Sequence, residues 1–319
     1  MPNYLAIDVA KAELTVALFE ETSVGLSLIC SDVIGLDPNL VAEVAESGQP
    51  VVADEVLVLE EDPGSQIVDT KLAMARFLEG KEPPVGIHAI ISSEPVLYFR
   101  SELPFNDSRK VDQVLPLQLQ DELPIDIENF ILDTRVLPGG SKGHYDILAA
   151  MIPRSELERT LTLLEILGVT PNSVSTQAAA LSRLPGMIPE IGEDPCVILQ
   201  LTGNCMSLCV TVDSKLIELR EIPVDSQDDY PLLVSAIAAS VYRAEQKCNC
   251  RFSVIHVSSS SRDFLSLLES NLGRALVPII WDNPEGGSSK VPLEHLSWAY
   301  GLIASHYGFG RIAQNNAMP

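Results

Sequence analysis

Apolar and polar positions along this chain fall into short runs separated by turn residues. The clearest example lies between Cys196 and Val224, CVILQLTGNCMSLCVTVDSKLIELREIPV. An apolar run ends in Leu-Thr-Gly-Asn, a run rich in β-branched residues follows, and an Asp-Ser-Lys turn leads into a third run. Apolar runs of this length bounded by turns predict consecutive strands, here a three-strand antiparallel meander. The amino terminus has the same outline: Tyr4 to Ala10 predicts a strand, Glu13 to Phe19 its return, and Gly25 to Gly35 a third pass. Two copies of one unit about 190 residues apart imply a duplicated architecture.

The pattern between and after the meanders alternates helices with strands. Pro38 to Ser47 predicts a short helix, Val51 to Leu59 a strand or irregular excursion, and Gly64-Ser65 opens a helical stripe through Leu78. Gly86 to Ser92 and Tyr98 to Leu103 predict strands. Residues 104–175 look like an inserted module: a helix capped by Asp107 or Ser108, strands at Phe130 to Leu137 and Tyr145 to Ile152, and a helix from Glu156 to Leu167. Pro116 falls inside the first of these helices and predicts a kink or a late start. The second half then carries a long helix over Asp229 to Lys247, a strand at Phe252 to Val257, a helix at Asp263 to Leu272, a strand at Leu276 to Ile280, and a last helix from Leu293 to His306. Pro284 to Ser289 reads as a loop, and the stretch after Gly308 as a frayed tail or linker.

Composition narrows the function classes. At 319 residues the chain can bury a large core, and none of its apolar runs approaches the ~20 residues of a membrane span. MPNYLAIDVAK has no basic leader or small-residue cleavage site, so the chain is expected in the cytoplasm unless membrane-spanning sequence once followed Pro319. A net charge of −23 repels phosphate backbones, which argues against nucleic acid and leaves basic faces of other proteins as candidate partners. The six cysteines lie mostly in predicted strands, as reduced buried thiols do, and their spacing does not match a zinc site. The five scattered histidines suggest no hydrolytic triad.

At this level of organisation the chain resembles the actin-like ATPase superfamily, and within it the PilM-type assembly proteins of type IV pili and the cytoplasmic domain of GspL-type proteins of type II secretion. The segments that carry the resemblance are YLAIDVAKAELTVALFE, ELPFNDSRKVDQVLPLQLQDELPIDIENFILDTRVL, ILAAMIPRSELERTLTLLEILGVTP with ALSRL, the meander at 196–224, SVYRAEQ, and HLSWAYGLIAS. They span nearly the whole chain in the family's order. The resemblance implies an α/β fold of duplicated actin-like (ribonuclease H-like) βββαβα halves, with an inserted α+β subdomain. The corresponding divisions are 1–103 for the first half, 104–175 for the insert, 176–310 for the second half and 311–319 for a tail.

The resemblance also implies a nucleotide cleft, made here by Asp8, Ala10, Gly203, Asn204, Ser258 and Ser259. In nucleotide-binding members the first turn resembles Asp-x-Gly followed by hydroxyl residues and a lysine; here it is Asp8-Val9-Ala10, with Thr15 at the lysine's place. Phosphates rest on backbone N–H groups in a turn that glycine makes without steric cost. In the second turn, Leu201-Thr202-Gly203-Asn204, Leu201 takes the place of the carboxylate that holds a magnesium-bound water. Ser258 to Ser261 replaces a Gly-Gly turn under the adenosine, and these serines also suit the cap of the helix that follows. The expectation is therefore a scaffold without catalysis, metal or bound cofactor, at the cytoplasmic face of the inner membrane. Its partners would be the motor ATPase and inner-membrane assembly proteins of a pilus or secretion machine, with homodimerisation as a further alternative. An active ATPase or small-molecule kinase, binding ATP and Mg through Asp8 and Gly203, is the rival reading.

Overall fold

The computed structural model describes residues 1–22, 25–37, 44, 69–92, 96–137, 142–186, 195–202, 205–213, 215–224, 226–259, 261–279 and 288–307. Both meanders form. In the first half β1 (Asn3–Val9), β2 (Glu13–Thr22) and β3 (Gly25–Gly35) pair antiparallel, and β4 (Gly86–Ile91) then joins β1 in parallel. In the second, β9 (Cys196–Thr202), β10 (Cys205–Val212) and β11 (Lys215–Pro223) repeat the antiparallel pairing, and β12 (Val254–Ser258) joins β9 in parallel. With β8 (Ser173–Thr176) and β13 (Ala275–Pro278) at matching edges, the strand orders are β3, β2, β1, β4, β8 and β11, β10, β9, β12, β13. One plan is thus used twice, as the sequence pattern predicts.

Alternation along the central strands sorts the core into layers. Leu5, Ile7 and Val9 of β1 face α1 (Thr70–Leu78) and α3 (Arg154–Ile166), through Met74, Phe77, Leu163 and Leu164. Val197, Leu199 and Leu201 of β9 face α5 (Tyr230–Cys248) and α6 (Arg262–Leu272). The opposite faces, Tyr4 and Ala6 in one sheet and Cys196 and Ile198 in the other, share a single core with α4 (Gln177–Leu181) and α7 (Ser297–Tyr307). Two sheets therefore look toward each other across a pair of helices. Local signals set the helix ends. Asp69, Asp107, Thr176 and Ser261 each accept a backbone N–H as an N-cap, and Asn249 and Gly273 close α5 and α6 in the left-handed region.

The inserted module is a third sheet of β5 (Leu97–Leu103), β7 (Tyr145–Pro153) and β6 (Phe130–Leu137), with α2 (Ser108–Glu122) packed on one face. Its edges differ from those expected at 104 and 175. β5, assigned from the sequence to the first half, pairs along its whole length with β7. At the other end, α3 buries its stripe under the first sheet and β8 pairs with β4, so both belong to the first half. By strand pairing the insert runs over 97–153. Pro116 sits inside α2, which starts at Ser108 rather than late. Ser288–Ser289, expected in a loop, forms the short strand β14 and pairs parallel to β3, held by the Ser31 and Ser289 hydroxyls at 2.7 Å and by Lys290 on Asp32 at 2.5 Å. The expected helix over 38–47, apart from Val44, the expected strand at 51–59, the start of the helical stripe at 64–68 and the tail at 311–319 lie outside the described residues. Among the described residues no helix is long and apolar enough to cross a membrane.

Candidate functional site

The turn of the first hairpin and Thr202, at the end of β9, border one cleft. Around it lie Asp8, Ala10, Lys11, Glu13, Thr15, Ser92, Thr202, His295 and Trp298, enclosing about 350 Å³. Asp8 stands on the face of β1 that looks between the halves and is only 7% exposed. The Ser92 hydroxyl donates to its Oδ1. Burial pushes the Asp8 carboxyl up to about 7, with the Glu13 and Glu221 charges acting in the same direction and the Ser92 bond opposing them. Gln177, the first residue of α4, holds Thr202 of the cleft wall: its Oε1 accepts from Ser207 at 2.6 Å, and its Nε2 donates to the Thr202 hydroxyl.

The candidate residues named from sequence reach different places. Asp8 and Ala10 both line the cleft. Gly203 and Asn204 lie outside the described residues, although their neighbour Thr202 lines the cleft. Ser258 is fully buried and bonds Ser297 of α7 at 3.0 Å. The Ser259 hydroxyl accepts the Ser261 N–H at 3.2 Å, and Ser261 caps α6. Both serines are thus engaged inside the second half.

Leu201 needs a correction. Its side chain is in the outer core with Val197, Leu199 and the helices α5 and α6, so it does not stand where a cleft carboxylate would. Hairpin register gives the reason. Asp8 pairs with Thr15 and Val9 with Leu14, whereas Gln200 pairs with Ser207 and Leu201 with Met206. The connection is four residues in the first hairpin and two in the second, so matching by Asp-x-Gly misplaces the faces. By hairpin register the counterpart of Asp8 is Gln200, which is fully buried and donates from Nε2 to the His295 carbonyl at 3.0 Å.

A magnesium-bound triphosphate needs free backbone N–H groups in the turn and an ionised carboxylate for the metal. Here the Ala10 N–H donates to the Glu13 carbonyl at 3.1 Å, closing the hairpin on itself. Burial raises the Asp8 carboxyl, one oxygen of which accepts from Ser92, and Glu13 adds a second acid to the wall. Among the described residues, the Ala10 N–H and one Asp8 oxygen are thus already engaged within the protein. Among those residues, no three His, Cys, Asp or Glu side chains gather there as a metal site.

A second concavity of about 580 Å³ lies between the inserted sheet and the first half. Leu148, Ala150 and Ile152 of β7 and Ile131 of β6 give it an apolar wall; Ser173 to Thr176 of β8, Arg183 and His306 give it a polar one. β8 is an edge strand, paired on one side only with β4, so it leaves one row of backbone groups toward this groove.

Between the two concavities stands Glu221 of β11, which the sequence reading passed over. Its carboxylate accepts the Val96 N–H at 2.9 Å and the Ala178 N–H at 3.0 Å. The Gln177 N–H and the Tyr98 hydroxyl bond it as well. Burial pushes it up to about 7 against these donors. Its one sequence signal is an acid amid the apolar run of a predicted strand, which ordinarily marks a solvent-facing position.

No protein-family model matches the chain, and no curated protein matches it in sequence. Among solved structures, it is similar to a chain of the PilM-PilN type IV pilus biogenesis complex, at 14% identity and a TM-score of 0.66, over 95% of this chain and 98% of that one. It is also similar to the cytoplasmic domain of EpsL, an inner-membrane component of the type II secretion system of Vibrio cholerae. That likeness has 12% identity and a TM-score of 0.52, over 95% of each chain. At such identities the likeness is one of fold. With the duplicated strand order and the insert, it identifies the actin-like ATPase fold.

Proposed function

We propose that this chain is a cytoplasmic actin-like scaffold of a bacterial type IV pilus or type II secretion machine, bridging its inner-membrane assembly proteins and its motor ATPase by protein contacts. The observation that carries this reading is the end-to-end likeness, insert included, to two proteins whose names place them in those machines. Most proteins of a shared fold do not share a role, so the chemistry of the site has to agree. Supporting the reading, the Ala10 N–H of the cleft is closed on the hairpin and the cleft's acid, Asp8, is buried, while the larger groove offers an apolar wall beside an open strand edge. Such an edge takes an extended peptide through main-chain hydrogen bonds, with side-chain pockets for selection.

The rival is an active ATPase or kinase, favoured by the retention of Asp8 on the cleft wall. Isothermal titration separates the two. The scaffold reading expects no heat of binding for Mg-ATP at millimolar ligand; micromolar affinity, with turnover lost in Asp8→Ala, would replace it by the enzyme reading. In parallel, Ala150→Trp, which fills the groove, is expected to cut co-purification of the cognate inner-membrane partner at least tenfold while leaving the melting temperature near that of the parent. Unchanged capture would remove the groove from the proposal.

A further inference from the structure

The face of α5 that looks away from the second sheet is unusual for a protein of net charge −23. Leu232, Ser235, Ala239 and Tyr242 lie along it at helical spacing, all exposed, with Leu232 at 75% and Tyr242 at 61%. Between Tyr230 and Tyr242 the helix carries no charged residue at all. Core packing does not explain these side chains, because the buried stripe of α5 is a different one: Leu233, Val234, Ile237, Val241 and Ala244. Among the described residues nothing covers the exposed stripe.

The order of sizes along the stripe points to what covers it. Large, small, small, large is symmetric about position 237, so two α5 helices crossing antiparallel bring Ser235 of each against Ala239 of the other. Small residues at the crossing let the backbones approach, and Leu232 of each copy then packs beside Tyr242 of its partner. Contact of residue i with j and of j with i is the requirement of a two-fold interface. Charge agrees with this direction. Asp228 is exposed just before α5, and Arg243 lies beside Tyr242 near its end, its side chain 56% exposed with the guanidinium 3.8 Å from Glu218 of the same chain. An antiparallel pair sets the acidic end of each helix opposite the basic end of the other, while a parallel pair would set like beside like.

We infer that the exposed α5 face is a homodimer interface, in which a second copy of this chain docks antiparallel across Ser235 and Ala239. The 19-residue helix is about 28 Å long, and one helix face buries less than the ~1,200 Å² of a standard interface. The dimer is therefore weak, with dissociation in the micromolar range or above.

Sedimentation equilibrium of the intact chain across micromolar to millimolar concentration tests this. A monomer–dimer equilibrium is expected, weakened at least tenfold in Leu232→Glu and in Tyr242→Glu. Both changes are on exposed positions, and circular dichroism checks that each variant stays folded. Register is read separately in a background with Cys248 and Cys250 changed to serine. Mixing Ser235→Cys with Ala239→Cys is expected to give a disulfide-linked heterodimer, while neither variant alone cross-links efficiently. A chain that stays monomeric at millimolar concentration overturns the inference, as does a dimer indifferent to both glutamates. Preferred cross-linking of Ala239→Cys to itself overturns the antiparallel register. A monomer whose Leu232→Glu variant loses a different protein partner assigns the face to that partner and likewise overturns it.

Discussion

At the scale of single residues, the two most perturbed side chains of the first sheet pull stability in opposite directions with pH. Asp8 has its carboxyl raised from 3.8 to about 7 by burial. Between those values the folded chain holds a proton that the unfolded chain has released, so stability falls as pH rises from about 4 to 7 and stays low above. His88 is 2% exposed, with Ser173 at 2.8 Å from Nδ1 and Tyr307 at 3.1 Å from Nε2. Burial, with the stacked His306 ring adding its charge, lowers it from 6.5 to about 4. Here the unfolded chain takes up the proton first, so stability falls as pH drops from about 6.5 to 4. Over this window the two partly offset each other, and Glu221, also raised to about 7, adds to the fall that Asp8 causes as pH rises. Asp8→Asn keeps an acceptor for Ser92 and removes the ionisation, at roughly 1.4 kcal/mol per pKa unit. Urea titration is expected to show a gain of up to about 4 kcal/mol at pH 8 and almost none at pH 4. An equal change at both values would mean that ionisation of Asp8 is not what destabilises the site.

At the scale of elements, α7 is the piece that locks the halves together, and two glycines make room for it. A β-carbon on Gly301 would meet the Ala180 carbonyl oxygen at 2.1 Å, where α4 and α7 cross. A β-carbon on Gly86 would meet the Tyr307 hydroxyl at 1.8 Å. The obstacles differ in kind: one is backbone in a core, the other the tip of a side chain that is 38% exposed. Gly301→Ala gains about 1 kcal/mol of helix propensity but forces two buried helices apart, a net loss of about 1–3 kcal/mol. Gly86→Ala swings Tyr307 aside and forfeits its bond to His88, about 1 kcal/mol. Thermal unfolding of both variants checks the order, and a larger loss for Gly86→Ala would contradict it. Neither role is visible in the sequence, because both contacts join positions far apart in the chain. What the sequence did show was short apolar runs and caps. Runs bounded by turn residues at Tyr4 to Ala10 and from Cys196 to Leu201 located the central strands, and hydroxyl or acidic residues at Asp107 and Ser261 located helix starts. Pairing partners were beyond it. Leu97 to Leu103 has the look of any strand, and only its register with β7 assigns it to the insert.

At the scale of the whole molecule, one carboxylate joins three bodies. Glu221 belongs to the edge of the second sheet, Val96 and Tyr98 to the root of the insert, and Gln177 and Ala178 to the helix that starts between the sheets. Pattern reading missed it because a glutamate within Glu-Leu-Arg-Glu-Ile reads as a solvent-facing strand position. The duplicated plan was legible because it repeats locally; the joint between the copies was not, since it depends on how they meet. Lys247 of α5 and Arg100 of β5 add a second tie through Asp146, at the far side of the insert. That tie is partly exposed and worth less per bond. Removing the Glu221 side chain takes this acceptor from three backbone N–H groups and a phenol, at about 1–3 kcal/mol for each that water does not reach. Glu221→Ala is therefore expected to lower stability by roughly 3–5 kcal/mol, and Glu221→Gln, which keeps one oxygen, by about half as much. Hydrogen exchange gives the location: the amides of Val96 and Ala178 should lose protection in Glu221→Ala, with the hairpin of β9 and β10 unchanged. Uniform loss across both sheets would mean that Glu221 stabilises the fold in general and does not hold the three parts in register.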